Sequence, residues 1–166
     1  LVAAIYPFMK RFFPMPQAVL GVAFSFGIPM AYVAVRAASE SGGLEAATLW
    51  LFLGNLSWVI AYDTACAMAD RPDDLKIGIH SSAILFGRWE VAAIVLFELL
   101  ALFFWSLAGK AAGVGVSYWL ALLAIAALWA VQLPVLVQRD PRAAFQVFLD
   151  HNWAGLLWFL GTVWAW

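Results

Sequence analysis

Charge is what this sequence has least of. Asp, Glu, Lys and Arg make up 11% of its 166 residues, against about 25% in soluble domains. A soluble fold of this length must cover its outside with polar groups, and too few are present to do so. The net charge of −1 provides no basic footprint for nucleic acid and no acidic tail. The single cysteine, Cys66, excludes an intrachain disulfide; inside an apolar run it reads as a small packing residue. Strand-type alternation is absent, as are Ser-His-Asp, zinc and nucleotide-loop motifs. The chain opens on the apolar stretch Leu1–Tyr6 with neither Met nor a charged segment. That is unlike a signal peptide and reads as the tail of a helix that begins upstream.

What is present is apolar. Hydrophobic residues make up 66% of the chain, mean hydropathy is +0.91, and there are ten tryptophans. Rings of this kind gather at membrane interfaces. Crossing about 30 Å of hydrocarbon as helix takes about 20 residues, and backbone groups in lipid must be satisfied internally. Runs of low charge predict helical spans at about 17–35, 46–69, 91–109, 114–138 and 150–166, within one all-α integral membrane domain covering 1–166. Pro29 and Pro134 fall inside spans and are expected to kink them. Seven of the nine Lys/Arg residues, Lys10, Arg11, Arg71, Lys76, Arg88, Arg139 and Arg142, fall on one side of this topology. Arg36 and Lys110 fall on the other. The positive-inside rule makes the basic side cytoplasmic and puts the C-terminus outside.

Four carboxylates, Asp63, Asp70, Asp73 and Asp74, fall within twelve residues where the second span runs into a cytoplasmic segment. Clustered carboxylates repel one another, and a divalent cation relieves that repulsion. Mg²⁺ is the usual match, held by one or two carboxylates together with substrate phosphate oxygens. The alternative is a solvated helix-end loop, with about equal weight on composition alone. Asp63 and Asp70 are seven residues apart and share a helix face. Pro72 disfavours helical geometry at Arg71, so the helix is expected to end there and the loop 70–88 to curl Asp74 back towards Asp70. Asp63 lies about two turns inside the span. An intramembrane carboxylate is by default a functional candidate, with a structural interhelical hydrogen bond as the alternative.

The run Tyr62–Gly87, YDTACAMADRPDDLKIGIHSSAILFG, resembles the second aspartate-rich region of the UbiA superfamily, in its 4-hydroxybenzoate branch. The segments YPFMKR (6–11) and GIPMA (27–31), and the stretch Asp150–Gly161, are similar to that branch as well. The resemblance implies the C-terminal five to six helices of a nine-helix membrane bundle. It implies transfer of a polyprenyl group from polyprenyl diphosphate to the ring of 4-hydroxybenzoate in ubiquinone biosynthesis, in a bacterial inner membrane. It implies that Asp70 and Asp74 bind Mg²⁺ and diphosphate, and that Asp63 belongs to the catalytic cavity. Arg11, Lys76, Arg71, Tyr62 and Asp73 are implied on the substrate side, where an arginine fork suits either a carboxylate or a diphosphate. Rival readings are another UbiA-type prenyltransferase (menaquinone, haem O, chlorophyll), a CDP-alcohol phosphotransferase, whose DGxxAR motif is absent, and a transporter or assembly subunit using Asp63 and Glu98.

The sequence departs from the family in two ways. The first aspartate motif, NDxxDxxxD, does not occur, and Cys66 and His80 stand where relatives often carry Tyr and Lys. The 166 residues therefore read as a piece of a longer protein whose N-terminal part supplies the other half of the metal site, and are expected to be inactive alone. Among the remaining polar residues, Glu98 reads as a lone structural carboxylate in the third span. Ser81–Gly87 reads as a short capped helix ending in Gly. His80 falls in the loop before it, and His151 and Asn152 read as interface residues opening the last span.

Overall fold

The structure, a computed structural model, describes residues 8–36 and 45–165. The expected partial helix at Leu1–Tyr6 lies outside the described residues. After helical residues 8–12 come α1 (Pro16–Ser25), α2 (Gly27–Arg36), α3 (Ala46–Ile77) and the short α4 (Ser82–Phe86). A 3₁₀ turn (Gly87–Trp89) then leads into α5 (Glu90–Ala112), α6 (Val116–Val137) and α7 (Pro141–Val163). Among the described residues there is no strand. The chain is an all-helical integral membrane bundle, and large apolar side chains such as Phe103, Leu123 and Val131 stand exposed on its outside.

Among the described residues, four segments are long and apolar enough to cross a membrane: Pro16–Val35, Ala46–Ile77, Ser82–Ala112 and Val116–Val137. The fifth expected span is α7, which starts at Pro141 rather than near 150. Asp140 caps it by accepting from the Ala143 N–H at 2.9 Å, and Pro141 occupies the first helical position, where its missing N–H is no loss. α7 is long enough to span but is not one of the four apolar segments; its first half carries Arg142, Asp150 and His151. The disruption expected at Pro29 appears as an interruption at Phe26 between α1 and α2. Pro134 lies inside α6, which continues to Val137.

The prediction that α3 ends at Arg71 is corrected. α3 runs through Pro72 to Ile77 and ends at Gly78, whose φ of 69° is the left-handed cap. Pro72 removes only the N–H that would bond to Met68. The turn after it is held at its far end, because the Asp74 carbonyl accepts from both the Gly78 and Ile79 N–H groups.

α3 is the centre of the bundle, packed on α1, α5 and α7, with α6 closing against α5 and α7. In lipid there is no hydrophobic drive between helices, so close approach depends on small residues. A Cβ on Gly54 of α3 would sit 2.4 Å from the Trp105 ring of α5, and one on Gly161 of α7 would sit 2.3 Å from the Ala121 Cβ of α6. One buried cluster, including Ala61, Ala65, Met68, Ile94, Leu136 and Val147, underlies the acidic end of α3. A second, including Trp105, Tyr118, Ile125 and Trp129, fills the other half.

Candidate active site

Because α3 does not stop at Arg71, Asp70 and Asp74 lie one helical turn apart on the same face. No curled loop is needed to bring them together. Asp70 is exposed and Asp74 is 6% exposed. The Ser81 hydroxyl bonds to the Asp74 carboxylate and accepts from the Ile84 N–H at 3.4 Å, the expected cap of α4. The expected short capped helix is therefore present, ending at Gly87 with φ 54°.

A hydrogen-bonded frame gathers four segments at this end. The Thr64 hydroxyl donates to the Ile60 carbonyl at 2.6 Å, which leaves the Ser82 hydroxyl to donate to Thr64 at 2.8 Å. The Ser82 N–H donates to Gln17 Oε1 at 3.0 Å, tying in α1. The His80 N–H donates to the Lys10 carbonyl at 2.8 Å, tying in residues 8–12. Lys10 thereby comes close enough to Asp63 and Asp74 to act on both electrostatically, and Asp70 acts on the same two. Asp63, Asp70, Asp74 and Lys10 thus share one electrostatic neighbourhood. The sequence gives Lys10 no role beyond topology, Ser81 and Ser82 none beyond the short capped helix, and Gln17 and Thr64 none. The signal available for Lys10 was its place beside Arg11.

The other candidates separate. Lys76 pairs with Asp73 at 2.8 Å, with both side chains largely in solvent. Arg11 stands exposed on the helical segment 8–12. Tyr62 points elsewhere, into an aromatic group with Trp58, Phe148 and His151 at ring distances of 5.4, 5.9 and 6.1 Å. Arg71 turns to Glu90, at 3.0 Å from Nη1 to Oε2. Glu90 is 1% exposed and also meets Arg139 Nε at 3.4 Å. This carboxylate joins the end of α3, the start of α5 and the α6–α7 turn, where Arg139 itself adopts φ 55°. Glu90 was not anticipated as a site residue.

Two readings of the third and fifth spans are corrected. Glu98 is not alone, because His151 Nε2 lies 3.5 Å from its Oε1. Nor is His151 an interface residue; it is 2% exposed and stacked on Trp129 at 5.7 Å between ring centroids. The earlier start of α7 carries His151 into the bundle interior.

No group of three or more His, Cys, Asp or Glu that could hold a metal ion occurs among the described residues. The acidic face offers two adjacent carboxylates, not a complete protein cage.

The sequence pattern of the UbiA prenyltransferase family matches residues 1–161. The chain is 49% identical over 163 residues to the 4-hydroxybenzoate octaprenyltransferase of Aeromonas hydrophila, covering 98% of this chain and 55% of the relative. It is 50% identical over 168 residues to that of Ralstonia nicotianae, covering 99% and 55%. The chain thus spans about half the length of the curated relatives it matches. In fold it is similar to a UbiA homolog from Aeropyrum pernix K1, with a TM-score of 0.79 at 21% identity, covering 98% of this chain and 59% of that one. Helical architecture, acidic segment and relatives agree, and the chain belongs to the UbiA prenyltransferase family.

Proposed function

We propose that the full-length protein transfers a polyprenyl group from polyprenyl diphosphate to 4-hydroxybenzoate, at the ring carbon ortho to the hydroxyl, in a bacterial inner membrane. The observation that carries this reading is the pair Asp70 and Asp74, one turn apart beside Lys10 at one end of a lipid-facing bundle. The names of relatives at 49% and 50% identity support the substrates. Two carboxylates on adjacent turns fit Mg²⁺, which keeps several waters and takes its other ligands from substrate phosphates rather than from an all-protein cage. Bound Mg²⁺ supplies Lewis-acid neutralisation of the departing diphosphate.

The chain's own residues then have distinct tasks. Asp70 and Asp74 hold the cation, with Asp74 fixed by Ser81. Lys10 offsets the carboxylates, and Lys76 and Arg11 add cations for the diphosphate or for the benzoate carboxylate. Asp73 pairs with Lys76 and acts through it. Arg71 enters through Glu90, as the anchor of the acidic turn. As the allylic C–O bond breaks, its electron pair leaves with diphosphate. The electron-rich phenol ring attacks the allylic carbon, and its ring proton then passes to the departed diphosphate, the base that the reaction itself supplies. Asp63 lies on the inner side of the acidic face, and Tyr62, in the aromatic group with Trp58 and Phe148, supplies a ring face of the kind that shields a cationic carbon from water.

Full-length protein in membranes, given polyprenyl diphosphate, ring-labelled 4-hydroxybenzoate and Mg²⁺, is expected to form the C-prenylated acid. Release of polyprenol without ring prenylation would contradict the reading. We further propose that the basic end is cytoplasmic, as the seven-to-two division of Lys/Arg argues. A reporter fused after Trp166 should then report a non-cytoplasmic location; a cytoplasmic signal there would reverse the topology.

A further inference from the structure

Glu98 and His151 are ionisable groups inside the bundle that the proposed chemistry leaves unused. Their geometry fixes a proton count. His151 Nδ1 lies 2.9 Å from the Val147 carbonyl. A carbonyl oxygen only accepts, so Nδ1 carries a hydrogen. The other ring nitrogen, Nε2, faces Glu98 Oε1 at 3.5 Å, and both atoms are buried without a hydrogen-bond partner. A bare Nε2 lone pair facing an ionised carboxylate would be repulsive, with both atoms buried and uncompensated. One proton between them removes the conflict, whether it is written on the carboxyl oxygen or on Nε2.

This pairing also fixes a wall. Nδ1 is bonded to its own helix, Nε2 faces Glu98, and Trp129 stacks on the ring at an interplanar angle of 29°. His151 lines a cavity of about 220 Å³ together with Trp58, Tyr62, Phe148 and Asn152. The cavity lies between α3 and α7, and Tyr62, one of its walls, is the residue before Asp63 in α3. Its ring walls and single amide suit a planar aromatic molecule; a polyprenyl tail requires a long apolar channel. We propose that Glu98 and His151 share one proton, and that Glu98 is thereby a positioning residue for the aromatic acceptor, acting through His151. The acceptor part rests on the 4-hydroxybenzoate reading above.

The test uses full-length protein in lipid, with ¹⁵N-labelled histidine and steady-state assays side by side. The His151 signals are identified by their loss in His151→Asn. In the wild type, Nδ1 is expected to be protonated and Nε2 displaced towards the protonated range. Glu98→Gln, whose amide N–H can donate to Nε2, should keep the Nδ1 proton and return Nε2 to an ordinary acceptor signal. It should hold the acceptor KM within about twofold of wild type. Glu98→Leu removes the partner and should raise the acceptor KM roughly tenfold, the scale of one lost positioning hydrogen bond, with the diphosphate KM unchanged. A wild-type ring protonated on Nε2 and bare on Nδ1 would overturn the shared proton. Equal acceptor KM values in the Leu and Gln variants would overturn the positioning role. If the wild type makes no prenylated 4-hydroxybenzoate while the nitrogen signals are as expected, the acceptor reading and the positioning role fall together and the shared proton stands.

Discussion

Replacing either Asp70 or Asp74 by Asn in the full-length protein is expected to remove most prenyltransferase activity. Asn keeps the size of the side chain and much of its hydrogen bonding but not the charge that holds Mg²⁺ against diphosphate. A lost Lewis-acid contact removes several kcal/mol of transition-state stabilisation, and each 1.36 kcal/mol is about tenfold in rate. Neither variant should lose folding. Asp70 is exposed, so its replacement should leave protein levels unchanged. Asp74 is buried and bonded to Ser81, and Asn there can still accept from that hydroxyl, so folding should also survive. Rates measured across a Mg²⁺ titration, at matched protein levels in membranes, check both statements. If these carboxylates only solvate a helix end, both variants should work nearly normally, since such surface changes cost within about 0.5 kcal/mol.

The next largest effect is expected at Glu90, away from the acidic face. Its side chain is 2% exposed and meets two guanidinium groups that are 35% and 46% exposed. Removing one partner of a fully buried ion pair costs about 3–5 kcal/mol. Here both arginines keep access to water when Glu90 is lost, so the figure for Glu90→Ala is discounted to about 2 kcal/mol. A lower thermal-inactivation midpoint, by roughly 2–4 °C per kcal/mol for a chain of this size class, measures that part. Because Arg71 directly follows Asp70, loosening it should also disturb the Asp70–Asp74 turn. The Mg²⁺ concentration for half-maximal activity should therefore rise in Glu90→Ala and recover largely in Glu90→Asp. A lower midpoint with unchanged Mg²⁺ dependence would reduce Glu90 to a structural tie and remove its link to the site.

Much of this was legible in the sequence, and the boundary has a physical cause. The spans follow from composition, and the capped helix Ser82–Phe86 from Ser81 and Gly87, because each is a local effect. The carboxylate pair was legible for the same reason. The path of the chain through Pro72 was not. The local rule ends a helix before proline, but the Asp74–Ser81 bond and the Gly78 cap hold the following turn from outside the window that rule considers. The partners of Arg71 and Glu98 were hidden differently. Glu90 and His151 are distant in sequence from Arg71 and Glu98, and nothing in the segments around Arg71 and Glu98 signals that α5 and α7 supply their counter-groups. The start of α7 was displaced because Arg142 and Asp150 looked like loop charges, although Asp140-Pro141 is a helix-start signal.

The central claim is that Asp70 and Asp74 hold polyprenyl diphosphate through Mg²⁺. Equilibrium binding of a non-hydrolysable polyprenyl diphosphate analogue to the full-length protein, with and without Mg²⁺, tests it most directly. The account predicts tight binding only with Mg²⁺ in the wild type, and loss of that Mg²⁺ dependence in both Asp70→Asn and Asp74→Asn. Undiminished Mg²⁺-dependent binding by the two variants would contradict it.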